Sequence, residues 1–189
     1  TLFPYTTLFR SFAYLYINNL DHAGHNDGVG SEKWLEALKY VDDVIAQLSA
    51  ALPIGTNLFV TADHGMVNVG EKIILGEEND LLTDVTLLGG EPRARHIYVR
   101  EGALTDVKSR WENHLAGKAD IYTKESIASL IGGEVSLDSH DRLGDLIVVP
   151  QGELILIDPT RVAQEGKMIG HHGGTTKTEV EIPLLTSTF

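Results

Sequence analysis

Three short segments of the chain place aspartate and histidine side chains together in glycine-rich surroundings. They read Asp21-x-x-x-His25, Asp63-His64 and His171-His172. Carboxylate oxygens and imidazole nitrogens suit Zn²⁺ or Mn²⁺, and the chain has no cysteine from which a thiolate zinc site could be built. Each segment alone is also typical of an ordinary polar loop. The three together favour a metal site.

The spacing of the first segment suits coordination of a single ion. Asp21 and His25 are four residues apart, so one helical turn would bring their Cβ atoms within about 5 to 6 Å of each other. Gly24 allows a ligand or another backbone segment to come close to His25. Asp63 and His64 follow an apolar run, where such a pair has little packing value. Two such groups on neighbouring strands would suit hydrolysis of phosphate esters, which uses two metal ions about 3.5 to 4 Å apart.

The elements expected around these segments form a βαβ unit. The apolar run at residues 12–20 is typical of a strand covered on both faces in a parallel sheet. Ser31 can cap the amphipathic helix that follows, which we expect to span about twenty residues. A second short strand is predicted at residues 57–62. In such units ligand sites lie at the carboxyl ends of the strands, where the first two segments fall.

Further elements are predicted in the second half of the chain. We expect strands at 96–100, 119–122 and 182–185 and helices at 104–115 and 125–131. Apolar runs at 145–149 and 153–157, separated by a Pro-Gln-Gly turn, predict an antiparallel hairpin. Residues 90–135 are expected to form an inserted subdomain beside the main sheet. We interpret Arg93 and Arg95, which precede a predicted strand, as surface charges rather than as contacts to a substrate phosphate.

The composition excludes several classes of protein. The 189 residues include 15 basic and 27 acidic ones, and the net charge of −12 argues against a nucleic-acid-binding surface built on positive charge. A hydrophobic fraction of 42% with 22% charged residues is typical of a globular domain. No apolar run approaches the roughly 18 to 20 residues that cross a bilayer. We expect a protein without a membrane segment, cytoplasmic rather than exported.

The three segments resemble, in chain order, three metal-binding motifs of the alkaline phosphatase superfamily. They read LDHAGH followed by Gly28, TADHGM, and GHHG. Within this superfamily the chain is most similar to the nucleotide pyrophosphatase/phosphodiesterase family, from Phe12 to the C-terminus. The resemblance implies an α/β fold, an alkaline-phosphatase-like three-layer sandwich around a mostly parallel sheet whose N-terminal part is missing.

The resemblance also implies the ligands of a first zinc ion. Asp21, His25 and one residue of the C-terminal histidine pair would bind it. We assign His172, because the family motif places a glycine directly after the ligand, and we keep His171 as the alternative. Mn²⁺ is the alternative ion.

A second zinc ion would be bound by Asp63 and His64, together with an aspartate from earlier in the family's chain. A nucleophilic threonine also precedes these motifs in the family, and nothing between Phe12 and Asp21 replaces either residue. The implied reaction is hydrolysis of phosphodiester or pyrophosphate bonds in a small molecule, through a phosphothreonine intermediate. We expect the longer parent enzyme to be active and this chain to be inactive.

Residues 1–11 resemble the translation of a common sequencing-library adapter. We therefore expect the biological sequence to begin at Phe12, within the catalytic domain of a bacterial-type phosphodiesterase. Thr6 and Thr7 fall in the adapter-like segment and are not candidate nucleophiles.

Two alternatives to a phosphodiesterase remain. One is another branch of the superfamily, namely a phosphomonoesterase, a phosphonoacetate hydrolase or a phosphoglycerate mutase, the last with a serine nucleophile and usually manganese. The other is a metal-binding module without catalytic activity, which would bind no zinc pair.

Overall fold

The computed structural model describes residues 11–132 and 136–189, which form seven helices and ten strands. The helices are α1 (Asn19–Asp27), α2 (Glu32–Ala51), α3 (Leu104–Leu115), α4 (Ala128–Ile131), α5 (Leu137–His140), α6 (Val162–Glu165) and α7 (Lys177–Val180). The strands are β1 (Asn57–Thr61), β2 (Val67–Asn68), β3 (Glu71–Ile74), β4 (Val85–Glu91), β5 (Ala94–Val99), β6 (Ala119–Thr123), β7 (Leu146–Pro150), β8 (Leu154–Ile157), β9 (Gly170–His171) and β10 (Leu184–Thr188). The adapter-like segment lies outside the described residues, apart from Ser11.

A four-stranded antiparallel sheet, in the order β4-β5-β7-β6, carries the main core. The apolar face of α3 contributes Val107, Trp111 and Leu115 to this core, each no more than 1% exposed. The indole Nε1 of Trp111 donates a hydrogen bond to the Leu81 carbonyl over 2.9 Å, so the one polar atom of this buried ring is satisfied. The predicted helix at 104–115 is confirmed. The subdomain at 90–135 stays a prediction.

The two apolar runs after residue 144 form strands, but the predicted hairpin between them is wrong. β7 pairs antiparallel with β5 and β6, whereas β8 pairs in parallel with β3, with Glu71 opposite Leu154. The turn residue Gln151 donates its N–H to Lys118 rather than across a hairpin. Every residue of both strands is buried. A run that is apolar on both faces identifies a strand, but it carries no alternation that would indicate its partner.

The first predicted strand, at residues 12–20, is wrong as well. This segment is irregular until α1 begins at Asn19, and Phe12 and Tyr14 are 90% and 79% exposed. A strand requires a neighbour that satisfies its backbone N–H and C=O groups, and no described strand pairs with this segment. The helix and the second strand of the predicted unit are confirmed as α2 and β1. Ser31 caps α2 as predicted, since its hydroxyl accepts a hydrogen bond from the Trp34 N–H.

Most strand pairs in the described part of the chain are antiparallel. β1 pairs with β10 and β2 with β9 in this way, and β3–β8 is the one parallel pair among the described strands. The pairing therefore differs from the expected mostly parallel sheet. Parallel pairing needs a crossover between two strands, and the strand expected to begin the first crossover is not formed.

Arg93 and Arg95 lie in the interior, so their interpretation as surface charges is wrong. They are 0% and 1% exposed. Arg93 pairs with Glu179 and Arg95 with Glu165, and both carboxylates are buried too. Their positions in the sequence could not show this, because the partners lie 86 and 70 residues further along the chain.

The apolar face of α2 is covered only in part in the described part of the chain. The helix buries none of its residues fully, and Leu35 and Tyr40 are 53% and 51% exposed. Neither α2 nor another described helix is long and apolar enough to cross a bilayer.

Candidate metal centre

Asp21, His25 and His172 converge on one side of α1. Asp21 and His25 lie one turn apart on this helix, and His172 directly follows β9. Oδ1 of Asp21 is 3.5 Å from Nε2 of His25 and 3.8 Å from Nε2 of His172. Tetrahedral zinc ligands at bond lengths of about 2.0 to 2.2 Å lie about 3.3 to 3.6 Å apart. The three ligand atoms all lie within 4.8 Å of one another, so these side chains can bind one ion once they move closer together.

The environment of Asp21 fits a cation. Its Oδ1 atom is buried and has no hydrogen-bond partner among the described residues. A buried carboxylate oxygen left without a donor is costly, and such atoms in folded proteins call for an explanation. A divalent cation shared with the two imidazoles would supply the missing positive charge.

Backbone carbonyls fix the orientation of two imidazole rings. Nδ1 of His25 is 2.7 Å from the Gly170 oxygen, and Nδ1 of His64 is 2.9 Å from the Gly65 oxygen. A carbonyl oxygen only accepts, so in each ring Nδ1 carries the proton. In a neutral ring this leaves the Nε2 lone pair free, and it is the arrangement that surrounds histidines bound to metals.

The Met66 side chain lies between α1 and β9, the two backbone segments beside the candidate ligands. A Cβ atom built on Gly24 or on Gly170 would lie 2.5 Å from the Met66 sulfur. The Ile169 N–H donates to the His25 carbonyl over 2.8 Å, which ties α1 to the strand before His172. The close approach predicted at Gly24 is thus confirmed. The role of Met66 had no signal in the sequence, because it depends on two glycines from distant segments.

Asp63 and His64 lie beside this group, in the loop between β1 and β2. The rings of His64 and His172 are stacked, with centroids 3.6 Å apart and planes inclined by 14°. Nε2 of His64 is 3.7 Å from Oδ1 of Asp63, whose side chain is 67% exposed. Asp63 and His64 thus offer two ligand atoms, whereas the neighbouring group of Asp21, His25 and His172 offers three.

The side chains of the adjacent residues His171 and His172 lie in different surroundings. His171 is 3% exposed, and its Nε2 is 3.1 Å from the Glu165 carbonyl, so this nitrogen is the donor. His172 is the histidine that turns towards Asp21. Burial is the main cause that lowers the pKa of His172, followed by the nearby His64 and His25 rings. A neutral His172 is the form that binds a metal ion.

Residues 9–175 match the family described as type I phosphodiesterase/nucleotide pyrophosphatase. The chain belongs to this family. Its membership of the alkaline phosphatase superfamily, predicted from the three motifs, is thereby confirmed. No curated protein gives a significant match.

Solved structures of related enzymes share the fold. Murine ectonucleotide pyrophosphatase/phosphodiesterase 5, in an inactive form complexed with AMP, has a TM-score of 0.70 and 22% identity over 88% of this chain and 44% of its own. Phosphonoacetate hydrolase from Sinorhizobium meliloti 1021, complexed with phosphonoformate, has a TM-score of 0.66 and 19% identity over 88% of this chain and 43% of its own. The alkaline-phosphatase-like α/β fold is confirmed. The chain spans less than half the length of these proteins.

Proposed function

We propose that Asp21, His25 and His172 bind one Zn²⁺ ion in the active centre of an enzyme that hydrolyses phosphodiester or pyrophosphate bonds. The observation that carries this proposal is the buried Asp21 Oδ1, which lacks a hydrogen-bond partner among the described residues and lies 3.5 and 3.8 Å from two imidazole nitrogens. Membership of the family supports phosphoester hydrolysis as the reaction class. Mn²⁺ is the alternative ion, since oxygen and imidazole ligands suit both.

Asp63 and His64 are proposed as two ligands of a second Zn²⁺ ion. The stacking of His64 on His172 supports a second ligand group beside the first. A further aspartate and the nucleophilic threonine would come from outside this chain, which spans 44% of the murine relative.

The contribution of this chain is to present ligands rather than to attack phosphorus. The carbonyls of Gly170 and Gly65 hold the Nδ1 protons of His25 and His64, so that each ring offers Nε2. The Asp21 carboxylate balances part of the charge of an ion. Bound zinc would lower the pKa of the attacking hydroxyl and of water and would neutralise charge on the phosphate oxygens.

In the proposed reaction the threonine oxygen bonds to phosphorus as the bond from phosphorus to the leaving oxygen breaks. Water then cleaves the phosphothreonine and releases the phosphate product. This chain by itself is expected to be inactive, and its turnover of a phosphodiester above a metal-free control would contradict that expectation.

The substrate is proposed to be a small nucleotide or phosphodiester, in line with the AMP bound to the murine relative. Phosphonoformate bound to the bacterial relative supports the alternative of a phosphonate or phosphomonoester branch.

Calorimetric titration of the metal-free chain with Zn²⁺ tests the proposal. Asp21→Asn and His172→Gln are each expected to weaken zinc binding at least about tenfold, since even the outer partners of metal ligands contribute that much. His114→Gln is the matched control, because His114 is exposed on α3 and should not affect binding. Equal zinc affinity in the wild type and in Asp21→Asn would overturn the proposal.

A further inference from the structure

The buried ion pair between Arg93 and Glu179 connects the two loops that carry the candidate ligands. We define the His64 loop as residues 62–66 and the His172 loop as residues 172–176. We infer that Arg93 and Glu179 are positioning residues that hold these loops side by side, an inference that rests on the proposed function for its catalytic meaning.

The side chain of Glu179 holds the His172 loop through hydrogen bonds. Its carboxylate accepts hydrogen bonds from the Gly174 N–H over 2.9 Å and from the Thr176 hydroxyl over 2.6 Å. Gly174 lies two residues after His172 in the chain. A Cβ atom on Gly174 would lie 2.8 Å from both Arg93 Nη2 and Glu179 Oε2, so a side chain at this position would displace the ion pair.

The main chain of Glu179 holds the His64 loop through a hydrogen bond. The Gly65 N–H donates to the Glu179 carbonyl over 2.7 Å. A Cβ atom on Gly65 would overlap the carbonyl oxygen of Thr178, so the close approach of this loop to α7 leaves no room for a side chain at position 65. Glu179 thus contacts one loop through its side chain and the other through its main chain.

Arg93 anchors Glu179 to the core. Its Nε and Nη2 atoms donate to the two carboxylate oxygens over 2.9 and 2.5 Å. Its Nη1 atom donates to the carbonyls of Gly152 and Leu154, at the start of β8. The guanidinium and the carboxylate are 0% and 1% exposed. This bidentate geometry fixes the orientation of the carboxylate as well as its position.

A purely stabilising role explains this arrangement less well. Removing two charges from water costs about as much as their attraction returns, so apolar side chains of similar volume often replace a buried pair without loss of stability. Glu179 also completes a capping box with Thr176 at the start of α7. A capping box alone needs no buried arginine, whereas the arginine fixes the residue whose carboxylate holds the His172 loop and whose main-chain carbonyl holds the His64 loop.

The second buried pair provides a matched control. Arg95 donates to the Glu165 carboxylate, which also accepts from the Asp158 N–H over 3.0 Å. The link from Glu165 to the histidine pair is its main-chain carbonyl, which accepts from His171. Glu165→Gln therefore neutralises a carboxylate that is also buried and leaves the anchoring of both defined loops unchanged.

Nuclear magnetic resonance of the histidine rings in the metal-free chain, combined with cobalt titration, tests the inference. In Glu179→Gln the imidazole resonances of His64 and His172 are expected to shift, and Co²⁺ affinity to fall about tenfold with a changed visible spectrum. In Glu165→Gln both readouts should match the wild type. Thr176→Val removes one donor to Glu179 and should give a smaller change in the same direction, which provides the test if Glu179→Gln does not fold.

The outcomes separate the two proposals. Unchanged His64 and His172 resonances in Glu179→Gln and Thr176→Val, or equal shifts in Glu165→Gln, would overturn the positioning role. A wild type that binds no Co²⁺, while the rings still move in Glu179→Gln alone, would refute the proposed function and support the structural coupling.

Discussion

The imidazole of His64 lies flat against that of His172, with ring centroids 3.6 Å apart. The two residues come from segments far apart in the chain. His64 lies in the loop that leads into β2, and His172 directly follows β9, the strand that pairs with β2. Two charged imidazoles at this distance would repel each other. Burial, with help from His64 and His25, lowers the pKa of His172. The stacking is thus compatible with a neutral ring that offers a nitrogen to a metal ion.

The contrast between the two adjacent histidines predicts that only one of them affects zinc binding. His172→Gln removes a proposed ligand and should weaken zinc binding at least about tenfold. His171→Gln should leave zinc affinity close to that of the wild type, because Nε2 of His171 already donates to the Glu165 carbonyl. Calorimetric titration of both variants decides the assignment. A larger loss of affinity in His171→Gln would favour His171 as the ligand.

The two glycines around Met66 should differ in their tolerance of a side chain. In Gly24→Ala the new Cβ meets the flexible end of Met66, and the gain in helix propensity of about 1 kcal/mol offsets the crowding. In Gly170→Ala the Cβ would also overlap the carbonyl oxygen of Gly24, which cannot move without displacing α1. We expect Gly170→Ala to lower the free energy of unfolding by about 1 to 3 kcal/mol and Gly24→Ala to be nearly neutral.

Urea denaturation of the two variants measures this difference. Met66→Ala should relieve the crowding in Gly24→Ala but not in Gly170→Ala. Equal stability of the two single variants would contradict the spacing described for Met66.

Glu179 predicts how stability depends on pH. Burial raises the pKa of its carboxyl, but hydrogen bonds from Arg93, Thr176 and Gly174 outweigh this and leave the pKa below the ordinary value of 4.5. A carboxyl whose pKa is lower in the folded chain stabilises the fold above its unfolded pKa, and this contribution is lost as the pH falls through the folded pKa. The stability difference between the wild type and Glu179→Gln should therefore be constant between about pH 7 and 5 and shrink below about pH 4.5.

Urea titrations of both proteins across this range provide the measurement. The other carboxyl groups titrate in both chains, so their effects cancel in the difference. A difference that does not change with pH would show that the charge of Glu179 does not stabilise the fold.

Local spacing was sufficient to predict part of the site and of the fold. The four-residue separation of Asp21 and His25 determines that one helical turn brings them together, and periodic apolar residues determine α2 and α3. Other features depend on partners that the local pattern does not specify. The apolar runs around Gly152 gave two strands but not their neighbours, and residues 12–20 needed a strand partner that the described chain does not provide.

The buried arginines show the same limit for polar residues. The sequence favours surface charges over phosphate contacts for Arg93 and Arg95, since Glu179 and Glu165 become their neighbours only in the folded chain. Tertiary pairing of this kind has no periodic signal in the sequence.

Anomalous diffraction from crystals of the chain grown with Zn²⁺ tests whether Asp21, His25 and His172 bind one ion. An anomalous peak is expected within about 2.0 to 2.2 Å of one ligand atom from each of Asp21, His25 and His172. An anomalous map with no peak among these three side chains, at a zinc concentration that saturates binding in solution, would contradict it.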